Sequence, residues 1–306
     1  MRKLLELYLF LVGLVLLGYI LGRKSPETVP TLVGRFLFWV GVPISIVIFL
    51  RKADLSGPIW IAPAIAFLAI LLGAFLAWLG IKGLTHWTNT TPQKSTQGSF
   101  LLAAMVGNTG YIGYPVTLSI VGTQYFAWAL FYDLLGTTLA AYGLGVALAA
   151  RFGDNARNHA QVLQAIFINP ALWSFGFGFL LRQIQIPQTI DFCLEIVAWC
   201  SVALSLVLIG MRLSKLNSWH SFPKATISVG IKMLVVPLLV SSILPLFGLT
   251  GAVAQVILLQ MAMPPAFATL VLAETFNLDR DLAVTALAMG TMLLLFTLPL
   301  WLVVSG

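Results

Sequence analysis

Apolar residues in this chain come in runs of about twenty, parted by short polar turns, and runs of that length predict helices that cross a bilayer. They fall at 4–22, 31–50, 58–80, 98–121, 124–149, 162–184, 190–213, 223–246, 250–275 and 281–304, ten in all, with no room left for a soluble domain. Two runs are interrupted. The fourth contains Gly107-Asn108-Thr109-Gly110-Tyr111-Ile112-Gly113-Tyr114-Pro115, and the ninth contains Met261-Ala262-Met263-Pro264-Pro265-Ala266. Glycine, proline and polar side chains at membrane depth predict broken helices, which survive there only when buried by protein or lining a wet cavity. The sixth run carries Asn169-Pro170, which reads as a helix cap followed by a first-turn proline, so that its helix starts late and 160–168 forms an interfacial lead-in.

Composition agrees with that pattern. Of 306 residues, 59% are apolar and 9% charged, with a mean hydropathy of +0.98, whereas a soluble chain averages about 25% charged residues. The first run follows Met1-Arg2-Lys3 but is longer than a signal peptide's apolar core and lacks a small-residue cleavage site before Arg23-Lys24, so a retained helix is expected. The net charge of +7 follows the loops and not a nucleic-acid surface, since no cluster interleaves basic and aromatic residues. On the side of the termini lie Arg2, Lys3, Arg51, Lys52 and Arg182. Opposite lie Arg23, Lys24, Lys82, Lys94, Arg151, Arg157, Arg212, Lys215, Lys224 and Arg280. The richer side is expected to be cytoplasmic, which places both termini outside, in a plasma (inner) membrane. Arg51 and Lys52 run against that rule. The cysteines, Cys193 and Cys200, are too far apart along one helix to pair and are expected to be buried and inert.

The two halves repeat. Val42, Ser45 and Val47 in the second run match Val202, Ser205 and Val207 in the seventh at a shift of 160; Pro63 in the third has a counterpart in Pro237 of the eighth, and the breaks occupy the fourth and ninth. Five spans per half, an odd number, turn the second half upside down, giving an inverted-topology repeat of residues 1–150 and 160–306.

The order of these features resembles the auxin efflux carrier family, which includes bacterial organic-acid permeases and the plant PIN-type exporters. The resemblance runs along nearly the whole chain. It rests on G-N-T-G-x-x-G-x-P at Gly107 to Pro115, Asn169-Pro170, Leu206 to Leu213, Lys232 to Pro237, Gln260 to Pro264, and Leu272-Ala273-Glu274. It implies an all-α membrane fold of ten helices like that of sodium/proton antiporters and bile-acid symporters, with broken helices four and nine crossing. Spans 1, 2, 6 and 7 would form a scaffold, spans 3–5 and 8–10 a transport domain that moves as an elevator, and two copies would pair through the scaffold. One departure is Ala268, where many bacterial members carry asparagine; its loss makes that side of the site more apolar.

The expected function is secondary transport of a small organic anion or amphipathic weak acid. At each break the N-terminus of the inner half-helix offers N–H groups and a partial positive charge to an anion. Gly110 and Gly113 allow close backbone approach, Pro115 and Pro264 keep the helices broken, and Pro265 is a further substrate-site candidate at the second break. Asn108, Thr109 and Gln260 supply polar side chains, and Tyr111 and Tyr114 flank the first break. Asp133 and Lys232 each lie about ten residues into a span, where ionisable groups are functional by default. Asp133 can carry a proton or hydrogen-bond Asn108 or Thr137; Lys232 can neutralise Asp133 or the substrate, or snorkel to the interface. Glu274, near the end of span nine, is a candidate for coupling, capping or gating. The alternatives are a sodium-coupled symporter of bile-acid type, so that coupling to H+ or Na+ stays open, and a channel or receptor. An enzyme is not expected: the chain has no H-E-x-x-H or aspartate-rich metal motif, His86, His159 and His220 fall outside the predicted spans, and neither a cofactor nor a metal site is expected.

Overall fold

A computed structural model of the chain describes residues 2–26, 28–153, 168–215 and 221–305. Among these the secondary structure is helical throughout, and six helices are long and apolar enough to cross a membrane. In chain order the helices are α1 (Arg2–Lys24), α2 (Thr28–Lys52), α3 (Ile61–Thr88), α4a (Lys94–Met105), α4b (Tyr114–Ile120), α5 (Phe126–Phe152), α6 (Pro170–Leu181), α7 (Gln188–Leu213), α8 (Phe222–Phe247), α9a (Gly251–Met261), α9b (Phe267–Thr275) and α10 (Arg280–Ser305). The fourth and ninth runs are broken where glycine and proline predict it. The Asn169 side chain caps α6, accepting from the Ala171 N–H at 3.0 Å. Most of the expected lead-in before α6 lies outside the described residues, as do Arg157, His159 and His220. α3 outruns its expected end at 80, carrying Lys82 and His86, and stops where Asn89 turns left-handed at φ 52°.

Prolines shape the membrane helices in a regular way. A π-helical turn at Leu37–Gly41 precedes Pro43, one at Thr109–Gly113 precedes Pro115, and one at Ile231–Val235 precedes Pro237. In each case the proline is the second residue after the turn. Proline cannot donate to the carbonyl four residues back, and widening the preceding turn helps re-satisfy the backbone.

The described residues divide into two compact units, the first Met1–Ile59, Gly110–Leu130 and Phe167–Leu216. Within it α1 and α7 run parallel with their backbones in contact. A β-carbon on Gly18 would overlap the Val207 carbonyl, and one on Gly210 the Val15 carbonyl. Small residues allow this close approach, the usual route to tight helix pairs in a membrane. α2 and α6 are also parallel, and each caps the other: Arg51 donates to Leu181 O (2.9 Å) and Ile184 O (3.2 Å), while Arg182 donates to Leu50 O and Ala53 O. Cationic side chains at helix C-termini match the partial negative charge there. Lys52 pairs with Glu195 at 2.7 Å and Asp191 at 3.4 Å, so Arg51 and Lys52 both have local structural work. The expectation that the cysteines are buried fails: Cys193 and Cys200 stand exposed on α7. The outer surface of a membrane helix faces hydrocarbon, and an apolar thiol is at no disadvantage there.

The second unit is Trp60–Thr109, Phe131–Ile166 and Asn217–Gly306. Asp279 ties it together at one end. Its carboxylate caps α10 by accepting from the Leu282 N–H (3.0 Å) and takes the Thr96 hydroxyl of α4a (2.8 Å), while its backbone carbonyl accepts from Ser99 Oγ (2.8 Å). Spans 3, 8, 9 and 10 lie in this unit, with α4a and most of α5.

Candidate substrate site

Breaking two helices frees backbone groups that must find partners where there is no water. In the second unit the two breaks satisfy each other. Gly107 and Pro265 form an isolated antiparallel bridge, with the Asn108 N–H donating to Pro264 O at 2.8 Å and the Ala266 N–H to Val106 O at 2.9 Å. Val106 and Ala266 are both extended, which aligns the two strands of chain. Gly290 of α10 backs the double proline so closely that a β-carbon there would lie 2.6 Å from Pro265 Cδ.

Three prolines each leave a carbonyl four residues earlier without its usual donor, and a side chain takes each one. Pro237 frees Met233 O, which accepts from the Trp301 indole at 3.1 Å. Pro115 frees Tyr111 O, which accepts from Ser205 Oγ at 3.2 Å within the first unit. Pro265 has no N–H for Met261 O, the last carbonyl of α9a, which accepts from Lys232 Nζ at 2.6 Å. Lys232 issues from the π-helical turn of α8, and only 4% of its surface is exposed. Its stem runs past Gly107, where a methyl group would stand 2.9 Å from Cε and 3.0 Å from Nζ. The ammonium reaches the Met261 carbonyl across 29 positions of sequence. A buried lysine held on a helix C-terminus gains from the partial negative charge there.

Asp133 is buried in a wide π-helical turn of α5, Phe131–Thr138, and accepts from the Thr109 hydroxyl in a short hydrogen bond and from Thr138 Oγ1 at 3.5 Å. Thr109 therefore points into its own unit's carboxylate. Hydrogen bonds to charged groups contribute about 1.5–3 kcal/mol, so Thr109→Val, which keeps the shape and removes the donor, is expected to destabilise by that amount. The check is thermal unfolding in detergent.

The second unit thus brings together Asn108, Gln260, Pro264, Pro265 and Lys232 around the paired breaks, with Thr109 and Asp133 joined on the same segment. Asn108 is 7% exposed and Gln260 fully buried. Gly110, Tyr111, Gly113 and Pro115 belong to the first unit. There Tyr111, Tyr114 and Pro115 line a small, mainly apolar cavity with Ser45, Phe49 and Ser205, and the Arg212 guanidinium stands 5.9 Å from the Tyr111 ring centre. Lys232 is buried on Met261 and does not snorkel. Glu274 does not join the site: it is half exposed and pairs with Arg280 at 2.8 Å. The Met261 carbonyl, Trp301 and Ser205 escape a reading of side-chain types. The signal for them is a proline in an apolar run, which marks the carbonyl four residues back as needing a donor.

A helical membrane protein whose two broken segments pair beside a buried ammonium has the form expected of a transport protein. The chain belongs to the auxin efflux carrier-like family described as membrane transport protein, whose profile matches residues 3–302. It is 33% identical over 307 residues to an uncharacterized transporter of Methanothermobacter thermautotrophicus, covering 98% of this chain and 97% of that one. The uncharacterized transporter MJ1031 of Methanocaldococcus jannaschii is 28% identical over 310 residues, with 97% of each chain covered. The uncharacterized transporter YfdV of Escherichia coli K12 is 19% identical over 309 residues, covering 96% and 95%. This membership gives the chain a role in membrane transport.

Proposed function

We propose that this chain is a secondary carrier of a small organic anion, including amphipathic weak acids, which binds where the two broken spans pair. The observation that carries the reading is the Gly107–Pro265 bridge with the Lys232 ammonium beside it. A carboxylate brought to membrane depth needs donors to offset its desolvation, and this region offers the ammonium, the Asn108 amide and the first turn of α9b. Movement is alternating access of elevator type. In its favour, Lys232, Asp133 and the paired breaks all belong to one compact unit, so the charged groups keep their partners as it moves. The architecture is two inverted repeats. Their pseudo-symmetry is supported by a matching pair of caps in the first unit: Arg51 at the end of α2 holds the end of α6, and Lys215, just past α7, holds Ser25 O at the end of α1 (2.9 Å).

The reading is tested by flux of candidate carboxylates through proteoliposomes. Asn108→Ala is expected to lower flux by about tenfold, the worth of one hydrogen bond to a charged group. Equal flux in mutant and wild type removes Asn108 from the site. Trapping one access state is expected to stop flux altogether, whereas a channel would continue to conduct.

A further inference from the structure

The last carbonyls of a helix carry partial negative charge and, at a break inside a membrane, form a natural seat for a monovalent cation. α9a ends in this way at the centre of the second unit. Pro265 denies the Met261 carbonyl a backbone donor, and the Met263 carbonyl flanks the same gap: a methyl group at Gly107 would stand 3.0 Å from Lys232 Nζ and 3.3 Å from Met263 O. The ammonium of Lys232 reaches this place on a stem from α8 and bonds Met261 O at 2.6 Å. At 4% exposure it is withdrawn from solvent, and Gly107 has no side chain to obstruct it.

We propose that the end of α9a is a monovalent-cation seat filled by the protein's own Lys232 ammonium, a tethered ion that does the charge-balancing work of a coupling sodium. The inference rests on the anion-carrier reading for its meaning, because the tethered charge faces the anion that a co-transported ion would otherwise neutralise. An ammonium has three N–H groups. One engages Met261 O, and the positive charge beside the paired breaks is what a carboxylate would meet. The seat being permanently occupied, a free sodium ion has no place there, and anion movement proceeds without one. Shortening the lysine removes the tethered ion while leaving the carbonyls and a space beside Gly107, so the seat becomes available to sodium from solution.

The test needs no knowledge of the anion. Saturable 22Na+ binding and thermal midpoints in NaCl against N-methyl-D-glucamine chloride are measured on purified wild type, Lys232→Ala and Lys232→Met. Wild type is expected to bind no 22Na+ and to melt identically in both salts. Lys232→Ala is expected to bind 22Na+ saturably and to melt at least about 2 °C higher in sodium. Lys232→Met, whose stem refills the space without a charge, is expected to behave like wild type in both measurements. Saturable 22Na+ binding by wild type overturns the proposal, as does a folded Lys232→Ala protein that binds none. If Lys232→Ala does not fold, the wild-type result decides alone. Failure to move any carboxylate in proteoliposomes would count against the anion-carrier reading and leave these binding results standing.

Discussion

Gly107→Ala is expected to lower transport by about tenfold or more while leaving a folded protein. The added methyl group would stand 2.9 Å from Lys232 Cε and 3.0 Å from Nζ, nearer than nonbonded carbon atoms settle. The lysine end is flexible and will give way before the paired backbone does. Moving it takes the ammonium off Met261 O, a hydrogen bond to a charged group worth about 1.5–3 kcal/mol, and each 1.4 kcal/mol is tenfold in an equilibrium. The comparison is Gly83→Ala in α3, where a methyl group meets nothing within 4 Å. Equal flux by the two variants in proteoliposomes would separate Gly107 from the position of Lys232.

The largest loss of folded protein is expected from Gly210→Val. A β-carbon there would overlap the Val15 carbonyl and lie 2.7 Å from the Tyr19 nitrogen, and all of these are backbone atoms. No rotamer change relieves such a contact. α1 and α7 would have to part, losing the contacts that Gly18 and Gly22 also make. Overpacking costs typically about 1–3 kcal/mol when neighbours can adjust, and more when they cannot. The variant is therefore expected to aggregate on extraction or to melt well below wild type by fluorescence-detected size exclusion. Gly176→Ala, with nothing within 4 Å on α6, is expected to be neutral in the same assay.

The glycines show why parts of this fold can be read in the sequence and others cannot. Gly110, Gly113 and Pro115 announce a broken helix because their effect is local: they alter backbone freedom and remove a donor wherever they stand. Asn169 before Pro170 is legible for the same reason and caps α6 as expected. Gly18 and Gly210 look like any other glycines in a membrane helix until the partner helix is in place. Cys193 and Cys200 mislead in the opposite way, because the habit of burying thiols comes from proteins surrounded by water.

The charged residues divide along the same line. Asp133 and Lys232 stand out in the sequence as charges deep in apolar runs. Glu274 stands out too, but the turn into α10 gives it Arg280. A charge's place in a span follows from counting residues, whereas its partner depends on which segments meet.

The sequence by itself determined a helical membrane chain, the places where two spans break, and the family whose motifs those breaks carry. These depend on hydrophobic length and on backbone rules within a few residues. Only the tertiary structure decided that the breaks pair with each other, that Thr109 serves Asp133, and that the Lys232 ammonium rests on the carbonyl left by Pro265. Each of those contacts joins residues more than twenty positions apart. Within a membrane the backbone groups freed at a break must be answered by other protein groups, and which groups answer is set by helix packing.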